Sequence, residues 1–338
     1  MRVFTYTIRC RFGALLVLLA GLAGCQAQPE AASGQAGATH PPTGHFAGTL
    51  DVPGQPALRA ALEVRHPRPG HYDAELVVPT APSLSFVADT LDFAQNTLRL
   101  ARPGRADETL TLTQQGDFWR GALAVDSVTY PVLLLRRGPA EPAVYRVRRD
   151  EVAGPSGQAL LFSPADETLP GVALAVFPTS DTAPGAPAWA DALAREGYTV
   201  LLLPAADTLV PPHLTAALAY LRRTPGVDTA RVGAWAAGTR APLLATMLAE
   251  ATLGGPRPAF VVVQGAPPPT AATRPVWRTL ARSGHVLGVY EATDASTVRT
   301  AADLRTALAN PRTRVLRGQG AGLVEAVVGW LREQQPPR

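Results

Sequence analysis

Val227-Asp228-Thr229-Ala230-Arg231-Val232-Gly233-Ala234-Trp235-Ala236-Ala237-Gly238-Thr239-Arg240-Ala241 is the stretch on which the fold turns. Residues 230–235 read as a buried strand, a helix starts at about residue 240, and Gly238 stands at the turn between them. Working outward, the alternation continues on both sides. Upstream, 172–177 is a continuous apolar run, 189–196 is helical and closed by Gly197, and 198–203 is a strand. A helix over 213–223 follows, with Leu214, Leu218 and Leu221 on one face. Downstream, strands are expected at 260–263, 286–290 and 314–316, with a helix over 298–308. A last helix carries Val324, Val328 and Leu331 in one stripe. Alternation of this kind predicts an α/β architecture, a doubly wound and mostly parallel sheet covered on both faces.

Before residue 139 the pattern differs. Residues 45–138 run in short period-2 stretches separated by turns, such as Tyr72-Asp73-Ala74-Glu75-Leu76-Val77-Val78 and Glu108-Thr109-Leu110-Thr111-Leu112-Thr113. They predict a small antiparallel β-domain, sandwich or barrel. Gly138-Pro139-Ala140-Glu141-Pro142 reads as the boundary, so 139–338 is the α/β domain. Residues 25–44 are small, polar and proline-containing, and read as a flexible tether.

The chain has 338 residues, 46% hydrophobic and 17% charged, as a globular protein does. All 31 of its basic residues are arginine. The absence of lysine excludes a Schiff-base lysine, a phosphate-loop lysine and a Ser-Lys dyad; with 33 Pro and 30 Gly it also fits the codon bias of a GC-rich genome.

Arg2, Arg9 and Arg11 precede an apolar core at 13–21 that is too short to span a bilayer as a permanent helix. Leu22-Ala23-Gly24-Cys25 then resembles the lipobox of bacterial lipoproteins. The resemblance implies a signal peptide at 1–24, lipidation of Cys25, and a membrane as partner through that lipid. Gln26, where aspartate would favour inner-membrane retention, points to the outer membrane. Loss of 1–24 leaves 28 arginines against 27 acids, a net charge of +1, so charge gives no argument for nucleic-acid binding. Cys10 leaves with the signal and Cys25 is taken by lipid, which excludes a disulfide or a Cys-based metal site in the mature chain.

The opening stretch resembles the strand, elbow and helix of the α/β-hydrolase superfamily, in its dienelactone-hydrolase-like and prolyl-oligopeptidase-like branch. Asp228, Arg231, Val232 and Gly233 match the approach to the elbow, and the likeness covers roughly residues 145–335. The resemblance implies a serine nucleophile, an acid and a histidine. Gly238 occupies the nucleophile position, flanked by Ala236 and Arg240 where the family has glycines. That turn normally projects a hydroxyl from a strained backbone; glycine has no nucleophile and relieves the strain. Asp294 matches the acid as a remnant, but Ala321 stands at the histidine position and no histidine occurs beyond His285. Phe177-Pro178-Thr179-Ser180 replaces the family's His-Gly on the oxyanion side, and proline has no N–H to donate. The short stretch between Val263 and Val286 leaves no room for an inserted cap domain.

The expectation is an envelope lipoprotein whose hydrolase-like domain has lost catalysis and binds or scaffolds, with no cofactor and no metal. Its partners would be a small molecule, a glycan or a protein, and Ser180, Asp181, Asp207, His213 and Thr239 are the candidate ligand-binding residues. The alternative is an active serine-type hydrolase, esterase or peptidase, with a relocated constellation using Asp294 and His213. A third reading gives the function to the β-domain, as a binder of a glycan or partner protein. His66 and His71 flank a turn and form a weak metal pair; His285 precedes its strand, at the wrong end of the sheet. Arg136-Arg137, Arg148-Arg149 and Arg222-Arg223 read as solvated charge, and no Gly-rich phosphate loop or nucleic-acid stripe is present.

Overall fold

The computed structural model describes residues 40–334 except 89, 154–156, 251–254, 256, 292 and 293. The expected signal peptide, Cys25 and most of the 25–44 tether lie outside the described residues.

Nine strands form the first sheet: β1 (Gly44–Leu50), β2 (Leu58–Arg68), β3 (His71–Val77), β4 (Phe86–Val87), β5 (Thr90–Ala94), β6 (Thr97–Arg102), β7 (Arg105–Gln115), β8 (Phe118–Val125) and β9 (Val128–Gly138). Their order is β4-β3-β2-β1-β9-β8-β7-β6-β5, with every pairing antiparallel. These strands make one large sheet rather than two separate ones. Alternating residues such as Leu62, Leu76, Leu98, Leu100, Leu110 and Leu134 supply one buried face, and a single sheet can enclose that face only by curling round it. Trp119 on β8 bridges the interior, meeting Phe46 of β1 and Phe93 of β5 edge-on at 6.0 and 6.3 Å. Tight coiling shows at Gly121, where an added Cβ would lie 1.9 Å from the Thr111 carbonyl oxygen.

The second sheet contains β10 (Tyr145–Val152), β11 (Gly157–Pro164), β12 (Gly171–Phe177), β13 (Thr199–Leu202), β14 (Val227–Ala237), β15 (Phe260–Gln264), β16 (His285–Glu291) and β17 (Thr313–Gly318). Interleaved are α1 (Ala186–Arg195), α2 (Pro211–Arg223), α3 (Arg240–Ala249), α4 (Arg274–Ser283), α5 (Ala295–Ala307) and α6 (Gly320–Glu333). Strand order is β10-β11-β13-β12-β14-β15-β16-β17. From β13 to β17 the neighbours are parallel, but β10–β11 and β11–β13 are antiparallel, so the sheet is mixed. The expectation of a parallel sheet holds only for that larger part. Charge is the reason: Arg146, Arg148, Arg149, Asp150 and Glu151 give edge strand β10 no apolar run to recognise.

Along β12, Ala173, Ala175 and Phe177 face one core and Val172, Leu174 and Val176 the other. Helices α2 to α5 cover the first face, and α1 and α6 cover the second. Both sheets belong to the one compact unit Gly37–Arg338.

Candidate functional site

β13 lies on one side of β12 and β14 on the other, so the strand order reverses between β12 and β14. In open α/β sheets the crevice beyond the carboxyl ends at such a point is the natural ligand site. Two loops meet there, one after β12 beginning Pro178-Thr179 and one after β14 beginning Gly238-Thr239. Gly238 has φ +51°, its N–H donates to the Gln264 carbonyl oxygen at 2.8 Å, and its own carbonyl accepts from Ala241 N at 3.2 Å. The turn between β14 and α3 is therefore left-handed and held by the backbone of the neighbouring strand.

The space in front of it is occupied. A Cβ on Gly238 would lie 3.0 Å from Thr179 Oγ1 and 3.2 Å from Thr179 Cγ2. Thr179 is buried, and its backbone N–H donates to Thr182 Oγ1 at 2.8 Å, so a donor suited to an oxyanion is engaged inside its own loop. Arg240, two residues past the turn and only 3% exposed, completes the filling. Its Nε donates to Thr208 O at 2.8 Å, and its Nη1 donates to Pro178 O at 3.0 Å and Pro204 O at 3.3 Å. The guanidinium also lies 6.0 Å from the Phe177 ring centroid. Burial holds its pKa below the ordinary arginine value, with Asp207 pulling the other way. One arginine thus fastens the loops after β12 and β13 to the first turn of α3.

The predicted site residues fall in different places. Asp294 is exposed and caps α5, its Oδ1 accepting from Ser296 N at 2.7 Å and Thr297 N at 2.8 Å. Both hydroxyls add to this, Ser296 Oγ at 2.6 Å foremost, and together they hold the carboxyl well below the usual carboxylate range. Ala321 is exposed in the first turn of α6. His213 is half-buried in the first turn of α2, with Nδ1 buried and unpartnered. The strands leading to His213 and Asp294, β13 and β16, are four neighbours apart, or about 19 Å. Only Ser180 and Asp207 are brought together, Ser180 N and Oγ each lying 3.2 Å from an Asp207 carboxylate oxygen at the exposed rim. Asp181, next to Ser180 in the chain, and Thr239, next to Gly238, are both exposed.

His285 is the first residue of β16, at the amino end. His66 and His71 have separate partners: His66 stacks on Tyr72 with centroids 4.3 Å apart, and His71 Nε2 lies 2.9 Å from Asp73 Oδ1. Sequence reasoning missed Thr179 and Thr182, and noted Arg240 only as a departure from glycine. Its place in a helix first turn among apolar residues was the available signal. A cavity of about 290 Å³ lies to one side, between Pro178, Leu203, Pro204 and the β6–β7 turn at Gly104. Neither Gly238 nor Asp294 lines it, so it is offset from the turn.

No family model and no curated protein matches the chain. Among solved structures it is similar to a dienelactone hydrolase from Anabaena variabilis, at 16% identity over 57% of this chain and 97% of that one, with a TM-score of 0.43. It is similar to a lipase/esterase from Lactobacillus plantarum at 15% identity, over 56% and 98% of the two chains, with a TM-score of 0.41. It is also similar to Porphyromonas gingivalis dipeptidyl peptidase 4, at 12% identity over 81% of this chain, with a TM-score of 0.42. The chain spans 48% of that peptidase.

Proposed function

We propose that this protein is an exported, lipid-anchored envelope protein whose second sheet is an α/β-hydrolase-type frame without acyl-transfer chemistry, serving to bind or scaffold. The observation that carries the reading is the filled turn. Gly238 keeps the left-handed backbone of a nucleophile elbow, yet it supplies no nucleophile and faces Thr179 at contact distance. Arg240 fixes the surrounding carbonyls, and Asp294 serves α5 as its cap. A nucleophile and a base must share hydrogen-bond reach for acyl transfer, and no histidine follows His285 in the chain.

The test is direct. Protein purified from membranes in detergent is expected neither to turn over p-nitrophenyl esters nor to react with a fluorophosphonate probe. Covalent labelling of a specific serine, Ser180 beside Asp207 above all, overturns the pseudoenzyme reading in favour of a relocated hydrolase. The anchor has its own test: Cys25→Ser should move the protein from the membrane fraction to the soluble fraction, and unchanged partitioning overturns lipidation at Cys25.

A further inference from the structure

Where the chain leaves the first sheet for the second, three metal-capable side chains converge. His45 on β1 and Glu63 on β2 are directly paired across the sheet, which puts their side chains on one face. His45 Nδ1 contacts Glu63 Oε1. Glu141 arrives from the connection after β9; its N–H donates to Glu63 Oε2 at 2.8 Å and its carbonyl accepts from Arg65 Nε. One ligand atom from each of His45, Glu63 and Glu141 lies within 4.8 Å of the others.

Two further observations point to a ligand. The first is charge. Glu63 is 3% exposed, as is neighbouring Glu75, and Asp191 is 6% exposed. The arginines beside them serve the other two acids: Arg65 Nη2 donates to Glu75 at 2.9 Å, and Arg195 bonds Glu75 at 2.7 Å and Asp191 at 3.0 Å. Glu63 meets His45 Nδ1, the Glu141 N–H and a second carboxylate rather than an arginine, and a buried carboxylate is costly without enough opposing charge. The second is Arg65 Nη1, buried with no hydrogen-bond partner; Arg65 and Glu141 line the same groove of about 820 Å³.

We propose that His45 Nδ1 and the carboxylates of Glu63 and Glu141 bind a divalent transition-metal ion of the zinc class, with an open coordination position towards the groove. One imidazole and two carboxylates suit zinc, whose bonds of about 2.0–2.2 Å put tetrahedral ligands about 3.4 Å apart, so His45 Nδ1 and Glu63 Oε1, now in direct contact, separate to admit the ion. Three donors fall short of the six or more oxygens that calcium takes. The ion balances both carboxylates. It would also tie β1, β2 and the inter-sheet connection together. The inference stands apart from the reading of Gly238 and survives if that reading fails.

The test strips the full chain with a chelator, titrates Zn²⁺ by calorimetry, and records the visible spectrum of the Co²⁺ form. One ion per chain is expected. Glu141→Gln, at an exposed position that leaves folding intact, should weaken binding by more than about tenfold. His45→Gln should remove the nitrogen-ligand signature of the Co²⁺ spectrum, while His71→Ala leaves both readouts unchanged. Absence of stoichiometric binding by folded wild-type protein overturns the proposal, as does wild-type affinity in both Glu141→Gln and His45→Gln.

Discussion

Arginines do different work at the crevice and at the junction of the two sheets. At the carboxyl edge of β12 and β14, Arg240 donates to the carbonyls of Pro178, Pro204 and Thr208, so its charge meets backbone dipoles. At the junction, Arg65 and Arg195 converge on Glu75 of β3, and Arg195 continues to Asp191. Tyr145 of β10 donates its hydroxyl hydrogen to Asp191 and accepts from Val87 N of β4 at 3.3 Å. The first arrangement closes loops over a place where a ligand would sit. The second stitches two sheets together through ionised pairs, and leaves Arg65 Nη1 without a hydrogen-bond partner beside an open groove. Polar atoms satisfied by backbone indicate a locked structure; charge left without a full partner indicates where something else can bind.

That contrast breaks most easily at Glu75. Glu75→Ala leaves Arg65 and Arg195 close together without their shared carboxylate, and should cost about 3–5 kcal/mol in urea unfolding, because a buried pair loses one partner. A loss below about 1 kcal/mol would mean the ionic chain is not what holds the junction. Arg240→Ala should cost less, about 2–3 kcal/mol, since neutral carbonyls left unsatisfied are cheaper than an orphaned charge and water can enter to meet them. If Arg240→Ala is instead the costlier of the two, the crevice is the keystone and the comparison reverses.

Much of the second sheet could be read from the chain because β12 to β16 bury apolar runs and carry punctuation at their ends, Gly197 among them. What escaped did so for physical reasons. β10 is a charged edge, and α4 begins after Pro267-Pro268-Pro269 with only Trp277, Leu280 and Ala281 buried. The curled form of the first sheet depends on β1 pairing with β9, residues far apart in the chain whose local alternation is equally compatible with two sheets. At the site, glycine at position 238 was visible in the sequence, but Thr179 packing against it depends on two loops meeting. Likewise His45, Glu63 and Glu141 share no spacing motif and converge only through register and the inter-sheet connection.

Gly238→Ser sharpens the crevice side. A side chain at φ +51° should cost about 1–2 kcal/mol, and contact with Thr179 at 3.0 Å adds to it. Ester turnover should stay at background, measured with p-nitrophenyl substrates, because a restored hydroxyl still lacks a base. Thr179→Ala in the same chain should recover part of the lost stability without bringing activity. Turnover in the single variant would place a working base within reach of residue 238.

The smallest expected effect separates a structural acid from a catalytic one. The Asp294 carboxyl is held below its ordinary value by the Ser296 hydroxyl and the Thr297 and Ser296 amides, so the folded state favours its ionised form. The stabilisation is therefore present in full above the unfolded value, about 3.9, and is lost as pH falls through the depressed folded value. Asp294→Ala should lower the melting temperature slightly at neutral pH, and the gap from wild type should close in acid. Asp294→Asn should keep most of the stability with little pH dependence, since asparagine also caps helices. A gap that stays constant into acid would show that the ionised carboxylate is not what α5 needs. Asp294 would then have no structural reason to be an acid, and the case for a residual catalytic role would strengthen.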